Sequence, residues 1–215
     1  GSGAVFFSGC TLRCAFCQNS VISHENYGKA LTSVQLREVF ERLIDDGVQN
    51  INLVTPTHFL PDILPALTPK LPVPVVYNCG GYESVQTLRQ LEGLVDIYLP
   101  DMKYSNNALA KKLSAAPDYF EIASAAIAEM YRQTGDVVIE DAQMTRGVLV
   151  RHLVLPGEID NSLGVLDWFA AHFRPGQALF SLMSQYVPMG RAQSLPPYDR
   201  RVTEEEYDAV LSYLM

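Results

Sequence analysis

Strand-like and helix-like segments alternate along almost the whole chain of 215 residues. Short apolar runs end at turn residues, and most are followed by a segment with the apolar spacing of an amphipathic helix. The predicted strands are residues 4–8, 51–54, 73–77, 97–99, 147–155 and 178–183. The predicted helices are residues 34–44, 62–67, 84–91, 119–133, 162–173 and 203–214. Six β/α units in succession predict an α/β fold, a partial (β/α)6 barrel of the TIM type with parallel strands.

Capping residues support two of these helices. Thr32 and Gln35 form the pattern of a capping box before helix 34–44, and Gly47 stands where a C-terminal cap belongs. Asp118 is placed to cap helix 119–133. These residues therefore indicate where both helices begin and where the first ends.

Composition excludes some classes of protein. The net charge of −8 is spread along the chain, and no cluster of Lys and Arg alternates with aromatic residues, so we expect no nucleic-acid partner. No apolar run approaches the ~20 residues of a membrane span, and no signal peptide is evident. We therefore expect a cytoplasmic protein without membrane contact and with one domain over residues 1–215. The chain begins with Gly and enters its first strand at once, which is typical of a chain that lacks an upstream segment.

Three of the four cysteines lie close together in the pattern Cys-x3-Cys-x2-Cys, at Cys10, Cys14 and Cys17. Without an export signal, this spacing indicates metal ligation rather than disulfides. Three thiolates can hold three irons of a cubane and leave the fourth iron open. A zinc site with His24 as the fourth ligand is the alternative. Cys79 stands alone and is predicted to be a small buried residue.

Residues 8–19, with Phe16 directly before the last cysteine, resemble the motif of the radical S-adenosylmethionine (SAM) superfamily. The run Cys17-Gln18-Asn19 resembles the pyruvate formate-lyase activating branch, and residues 52–58, 77–82, 96–103, 151–157 and 182–186 resemble its uncharacterised activase-like members. The resemblance implies a [4Fe-4S] cluster whose open iron chelates SAM. It also implies reductive cleavage of SAM to a 5′-deoxyadenosyl radical, with an electron donor such as flavodoxin or ferredoxin.

Functional residues of a parallel barrel lie at the carboxyl ends of its strands, where several polar residues of this chain fall. The resemblance assigns Asp101 and Lys103 to the amino-acid and ribose end of SAM, with a surface ion pair as the alternative. Relatives have Gly-Gly-Glu where this chain has Thr55 to His58, so the hydroxyl of Thr57 is a candidate for the SAM ammonium. His58 is either a cofactor contact or a residue packed at the rim.

Four further positions complete the candidate cofactor site. Asn78 stands where activating enzymes often carry Asp, and Phe16 lies within the cysteine motif. Strand alternation turns either Arg151 or His152 inward, and we assign His152 to the adenosine. Ser184, Gln185 and Tyr186 either line the substrate mouth or satisfy backbone groups at a strand end.

Three functions remain open from the sequence. The chain is expected to be a radical SAM enzyme that activates a glycyl-radical enzyme. The second possibility is direct radical modification of a peptide or small molecule. The third is a non-enzymatic interaction module with zinc or a closed cluster.

Overall fold

The computed structural model describes residues 1–214. Its strands are β1 (Ser2–Phe6), β2 (Asn50–Val54), β3 (Val75–Cys79), β4 (Ile97–Pro100), β5 (Val138–Glu140), β6 (Gln143–Leu153) and β7 (Leu179–Met183). Its α-helices are α1 (Ser20–His24), α2 (Ser33–Asp45), α3 (Leu60–Ala66), α4 (Val85–Arg89), α5 (Asn107–Ser114), α6 (Tyr119–Thr134), α7 (Ile159–His172) and α8 (Glu204–Leu214). Short 3-10 helices cover Thr57–Phe59 and Gly190–Ser194. No helix among these is long and apolar enough to cross a membrane.

The strands form a seven-stranded sheet in the order β1-β2-β3-β4-β6, with β5 and β7 both paired to β6. All pairs are parallel except the hairpin of β5 and β6, which is antiparallel. Within residues 1–214, β1 pairs only with β2 and β7 pairs only with β6, so the sheet does not close. The prediction of a partial barrel with six parallel strands is confirmed.

Several predicted boundaries are displaced, and three elements were missed. β1 lies two residues earlier than predicted, and β3 lies two residues later because its pairing with β4 continues to Cys79 and Pro100. Helices α1 and α5 and strand β5 were not predicted from the sequence. The Asn106 side chain caps α5 by accepting hydrogen bonds from the amides of Ala108 and Leu109. Asn is one of the residues that indicate a helix start in a sequence.

The predicted capping box of α2 is confirmed. The Thr32 hydroxyl accepts from the Gln35 amide at 3.2 Å, and the Gln35 side chain accepts from the Thr32 amide at 3.0 Å. Gly47 has a φ of 81° and donates to the Ile44 carbonyl, as a C-terminal cap requires. Asp118 occupies the N-cap position of α6 as predicted, but its side chain forms no cap bond, because its carboxylate accepts from the Tyr82 hydroxyl at 2.5 Å.

Side chains of the central strands divide into two faces. One face packs against the helices and is fully buried, as at Leu53, Tyr77 and Val150. Alternate residues are half-buried on the opposite face, which we call the inner face; it includes Val54, Asn78, Leu99, Asp101, Arg151 and Ser181. Cross-strand register confirms the grouping, since Val54 pairs with Asn78 and Arg151 with Ser181. The inner face is therefore the only one of the two that is partly open to solvent in the described residues.

The turn after β3 packs directly on the end of β4. The hydroxyl of Tyr119, on α6, lies 2.8 Å from the Gly80 carbonyl and 2.7 Å from the Asp101 carbonyl, and it accepts from the Lys103 amide at 3.0 Å. Gly81 has a φ of 81°, and a Cβ there would overlap the Asp101 carbonyl oxygen. Only glycine allows this approach, which fixes the backbone of Asp101 and Lys103.

We predict that Gly81→Ala lowers the free energy of unfolding by about 3 kcal/mol or more, since it adds a steric overlap to the strain of a positive φ. Gly93 is the matched control: its φ is 82° and a Cβ at this position would have no neighbouring atom within 4 Å, so Gly93→Ala loses only about 1–2 kcal/mol. Urea unfolding monitored by circular dichroism measures both. Equal losses would show that the contact with Asp101 is not tight.

Candidate active site at the carboxyl edge of the sheet

The three clustered cysteines lie on the loop of residues 7–19, which we call the cysteine loop. Cys10, Cys14 and Cys17 are all half-buried. The loop directly follows β1, so its sulfur atoms lie at the carboxyl edge of the sheet. The structure thus places the three thiols where a parallel barrel carries its functional groups.

Backbone hydrogen bonds hold the cysteine loop against the end of α5. The amides of Arg13 and Ala15 donate to the carbonyls of Ser114 and Leu113 at 3.1 and 2.7 Å. These carbonyls belong to the last turn of α5, where they have no partner inside the helix. Free acceptors at the end of a helix therefore position the segment that contains Cys14.

His58 holds the start of the same loop. Its Nε2 lies 2.5 Å from the Ser8 carbonyl oxygen, and its ring packs against Phe59 in a tilted arrangement with the ring centroids 4.5 Å apart. The hydrogen bond links the turn after β2 to the residue that precedes Gly9 and Cys10. The structure thus places His58 at the rim with one ring nitrogen engaged by the protein.

The thiols lie in one another's electrostatic field. Burial raises the pKa of Cys10 and of Cys14, and charge on a neighbouring cysteine raises each further. Lys103 acts in the opposite direction on both, and a hydrogen bond from Ser114 also favours the Cys14 thiolate. Three adjacent thiolates need a positive centre to replace their protons, and the iron core of a cubane supplies one. The donor set therefore suits an iron-sulfur cluster.

An ionic group spans three strand ends on the inner face beside the loop. The Asp101 carboxylate pairs with Lys103 at 2.5 Å and with Arg151 at 2.8 Å, and Arg151 donates to the Asn78 side chain at 2.8 Å. Burial alone raises the pKa of Asp101, but the two cations outweigh it and the pKa lies below its usual value. Asp101 is therefore ionised, and two cations around one anion leave a net positive charge.

Arg151 was missed as a site residue, and His152 lies on the other face of β6. His152 is fully buried, and its ring nitrogens lie 2.6 Å from the Met102 carbonyl and 2.9 Å from the Ser162 hydroxyl on α7. Burial lowers the pKa of His152 to about 4, so the ring is neutral. Its position does not agree with the predicted adenosine contact, because side-chain alternation turns Arg151 inward instead.

Thr57 contacts the buried carboxylate of Glu83, which was not predicted as a site residue. Its hydroxyl donates to Glu83 at 2.7 Å, and the Tyr77 hydroxyl lies 3.2 Å from both Thr57 and Glu83. Cys79 is buried close to the same carboxylate. Glu83 is 3% exposed, and no ion pair involves it within residues 1–214. Burial raises the pKa of Glu83 to about 7, although the neighbouring Thr57, Tyr77 and Cys79 side chains lower it.

Of the three residues predicted near the substrate mouth, two are exposed. Ser184 and Gln185 are open to solvent, whereas Tyr186 is buried and donates to the Tyr198 carbonyl at 2.7 Å. The ring of Tyr186 lies 5.6 Å from that of Phe16, which is itself buried. The contact between these two aromatic residues joins the cysteine loop to the segment after β7.

The zinc alternative receives no support from side-chain positions. In the described part of the chain, no three or more His, Cys, Asp or Glu residues form a group that would hold one metal ion. His24 ends α1, and its Nε2 is buried without a hydrogen-bond partner among those residues. Ligands of a cubane bind different irons and so lie farther apart than ligands of one ion.

A family model of the radical SAM superfamily matches residues 4–169. The chain belongs to the radical SAM superfamily. Members of this family use a [4Fe-4S] cluster and SAM, which confirms the expected cofactors, and membership supports reductive cleavage of SAM. The finer resemblance to the pyruvate formate-lyase activating branch is not established by this match.

The chain also resembles a curated protein and several solved structures. An uncharacterised protein of Methanocaldococcus jannaschii is 30% identical over 221 residues, covering 98% of this chain and 61% of the relative, so the chain spans about three fifths of that protein. Methylornithine synthase PylB has a TM-score of 0.66 at 16% identity, with 99% of this chain and 61% of PylB covered. The hydrogenase maturase HydG has a TM-score of 0.60 at 15% identity, with 99% and 48% covered. The structural likenesses establish the fold.

Glu83 predicts a pH dependence of stability. Its folded pKa of about 7 lies above the ordinary 4.5, so its favourable contribution is complete below pH 4.5 and is lost as the pH rises through 7. Relative to Glu83→Gln, which stays neutral, the wild type should lose up to about 3 kcal/mol of unfolding free energy between pH 4 and pH 8. Urea unfolding of both proteins across this range measures the difference. The exposed Glu38→Gln is the control, and a constant difference for Glu83→Gln would show that Glu83 does not titrate in this window.

Proposed function

We propose that Cys10, Cys14 and Cys17 hold a [4Fe-4S] cluster with one iron open for SAM. The observation that carries the proposal is the position of three half-buried thiols on one fixed loop, beside Lys103, with the fourth cysteine buried against Glu83. When bound and reduced, the cluster supplies the electron that cleaves SAM to methionine and a 5′-deoxyadenosyl radical. The protein holds three coordination positions and leaves the fourth to the amino and carboxylate groups of SAM.

The ionic group of Asp101, Lys103 and Arg151 is proposed to bind the charged parts of SAM. Its net positive charge suits the methionine carboxylate, and the Asp101 oxygens suit an ammonium or ribose hydroxyl. Arg151 donates a hydrogen bond to the Asn78 side chain, which holds the guanidinium in position. The group lies close enough to Cys14 for Lys103 to favour its thiolate, so cofactor and cluster sites adjoin.

We propose that the other predicted cofactor residues hold parts of the site in position. Thr57 and His58 fix the turn after β2 through hydrogen bonds with Glu83 and with Ser8, which lies at the start of the cysteine loop. Thr55 has a φ of 58°, a conformation that β-branched residues rarely adopt and that is concentrated at functional sites. The buried ring of Phe16 packs against Tyr186 and so anchors the cysteine loop.

The proposed target is a glycyl-radical enzyme, which the chain would activate by removing an α-hydrogen from a glycine. A flavodoxin or ferredoxin is the proposed electron donor. Of the four cysteines, three are assigned to one cluster, which leaves too few for a second cluster within these 215 residues. The run Cys17-Gln18-Asn19, which resembles the activating branch, is the feature that supports an activase.

Direct modification of a peptide is the second candidate. In the described residues the inner face is half-buried, and β1 and β7 each have one edge that pairs with no strand, a kind of edge to which an extended peptide can add. Streptococcus suis SuiB, solved with its precursor peptide SuiA, has the same fold at 14% identity and a TM-score of 0.56. The two candidates differ in the size and identity of the molecule that loses hydrogen.

We predict that the anaerobically reconstituted protein binds about four irons per chain and, with dithionite, slowly releases 5′-deoxyadenosine from SAM. Cys10→Ala, Cys14→Ala and Cys17→Ala should each abolish this release, because loss of one thiolate disrupts the cluster. Cys79→Ala is the matched control and should keep both the iron and the release. Iron analysis and liquid chromatography measure the two quantities. An intact, reducible cluster that yields no 5′-deoxyadenosine would contradict the proposed chemistry.

For the target, we predict that a large glycyl-radical protein from the source cells co-purifies with this chain under anaerobic conditions. Addition of SAM and reductant should then produce the doublet of a glycyl radical in the electron paramagnetic resonance spectrum. The Cys14→Ala protein should capture the same partner without producing the radical. Recovery of a short peptide that gains a new cross-link would favour the second candidate instead.

A further inference from the structure

Ser114 contacts the cysteine loop through its side chain as well as its backbone. It is the last residue of α5, is 1% exposed, and donates from its hydroxyl to the Cys14 sulfur at 3.0 Å. Cys14 is the only one of the three clustered cysteines that receives a side-chain hydrogen bond within residues 1–214. The contact joins positions 100 residues apart in sequence, so only the fold brings it about.

A second buried hydroxyl extends this contact. The Tyr104 hydroxyl lies 2.6 Å from the Ser114 oxygen, and Tyr104 is fully buried. Ser114 is the one hydrogen-bond partner of this hydroxyl in the described part of the protein. Since the single proton of Ser114 points to Cys14, the proton of Tyr104 must point to Ser114.

The direction of the chain is therefore fixed: Tyr104 donates to Ser114, and Ser114 donates to the Cys14 sulfur. Burial, and charge on Cys14, raise the pKa of Tyr104 well above its usual value, so its proton is retained. Consecutive hydrogen bonds polarise one another, and a low-dielectric surrounding strengthens their effect on charge. Tyr104 thus strengthens the donor that faces the sulfur.

We propose that Tyr104 and Ser114 form a relay that raises the reduction potential of the cluster held by Cys14. This inference rests on the proposed assignment of the cluster to Cys10, Cys14 and Cys17. Reduction adds negative charge that spreads onto the ligand sulfur atoms, and a donor to such a sulfur stabilises the reduced state. The relay makes the cluster easier to reduce by an external donor. Ser114 and Tyr104 are positioning residues, since neither is proposed to touch SAM or substrate.

The anchoring of the loop keeps the relay in place. Backbone bonds from Arg13 and Ala15 to the end of α5 flank Cys14 on both sides. The aromatic ring of Tyr104 packs edge-on against Tyr119 at 5.2 Å, which holds its hydroxyl in position. A hydroxyl held this firmly keeps its donor direction when the charge on the sulfur changes, which is the condition for an electrostatic effect without reorganisation.

The test compares Ser114→Ala, Tyr104→Phe and wild type after anaerobic reconstitution, with iron content measured for each. The control is Ser124→Ala, because the Ser124 hydroxyl has no hydrogen-bond partner among residues 1–214. Electron paramagnetic resonance at controlled potentials, without SAM, gives the ratio of reduced to oxidised cluster. At the wild-type midpoint, Ser114→Ala should lower this ratio about tenfold, equivalent to about 59 mV for one electron. Tyr104→Phe should lower it about two- to threefold, since Ser114 still donates but is less polarised.

The outcomes separate the relay from the cluster assignment. Full iron content with the same midpoint in wild type, Ser114→Ala and Tyr104→Phe would overturn the relay and leave the cluster assignment intact. If wild type binds no iron, both proposals fail. If Ser114→Ala loses its iron, the Tyr104→Phe protein provides the test, because it keeps the aromatic ring and the Ser114 donor. A ratio of reduced to oxidised cluster below that of Ser124→Ala would support the relay. A ratio equal to that of Ser124→Ala would overturn it.

Discussion

The arrangement of the site depends on unpaired carbonyls at the end of one short helix. Helix α5 leaves the Leu113 and Ser114 carbonyls without partners inside the helix, and the amides of Arg13 and Ala15 supply them. The loop amides and the helix carbonyls thus satisfy one another. Without these hydrogen bonds the groups would be buried unpaired, which would lower the stability of the fold. The exchange fixes a loop that has no regular structure of its own. Cys14 lies between the two bonds and therefore takes a defined position relative to β4 and β6.

Electrostatics at the strand ends is organised around one carboxylate. Asp101 holds Lys103 and Arg151 at hydrogen-bonding distance, and together they keep it ionised despite burial. The same charges bear on the cysteines, since Lys103 lowers the cost of a Cys14 thiolate. Glu83, on the helix side, lacks such cations and retains its proton to about pH 7. The difference between the two carboxyl groups comes from their neighbours and not from burial, which raises both pKa values.

Much of the fold could be predicted because the spacing of apolar residues and the helix-capping residues are local patterns in the sequence. The alternating segments gave the six parallel strands, and Thr32, Gln35 and Gly47 gave the ends of α2. Helix α5 was missed although Asn106 caps it, because the segment is short and only modestly apolar. The orientation of β6 could not be settled, since residues 148–150 are all apolar and offer no alternation from which to assign Arg151 and His152 to faces.

The candidate site was predictable only where residues are close in sequence. The spacing of Cys10, Cys14 and Cys17 and the pair Asp101 and Lys103 are local patterns. Ser114 reaches Cys14 across 100 residues, and Glu83 reaches Thr57 across 26, so no local pattern indicates either contact. Long-range partners of this kind follow from the register of the sheet and the packing of the helices.

The open sheet affects how a reactive species at the inner face is protected from solvent. In the described residues no strand joins β1 to β7. Loops border the inner face on that side, where the Ala192 amide, after β7, donates to the Ala15 carbonyl of the cysteine loop at 3.1 Å. A reactive species formed there meets solvent unless a second polypeptide segment covers the gap. Under the proposed function, the molecule that covers this gap is also the one placed to react. Binding of the target then also shields the reactive species from solvent. The reaction begins only when the segment that closes this side of the barrel has bound.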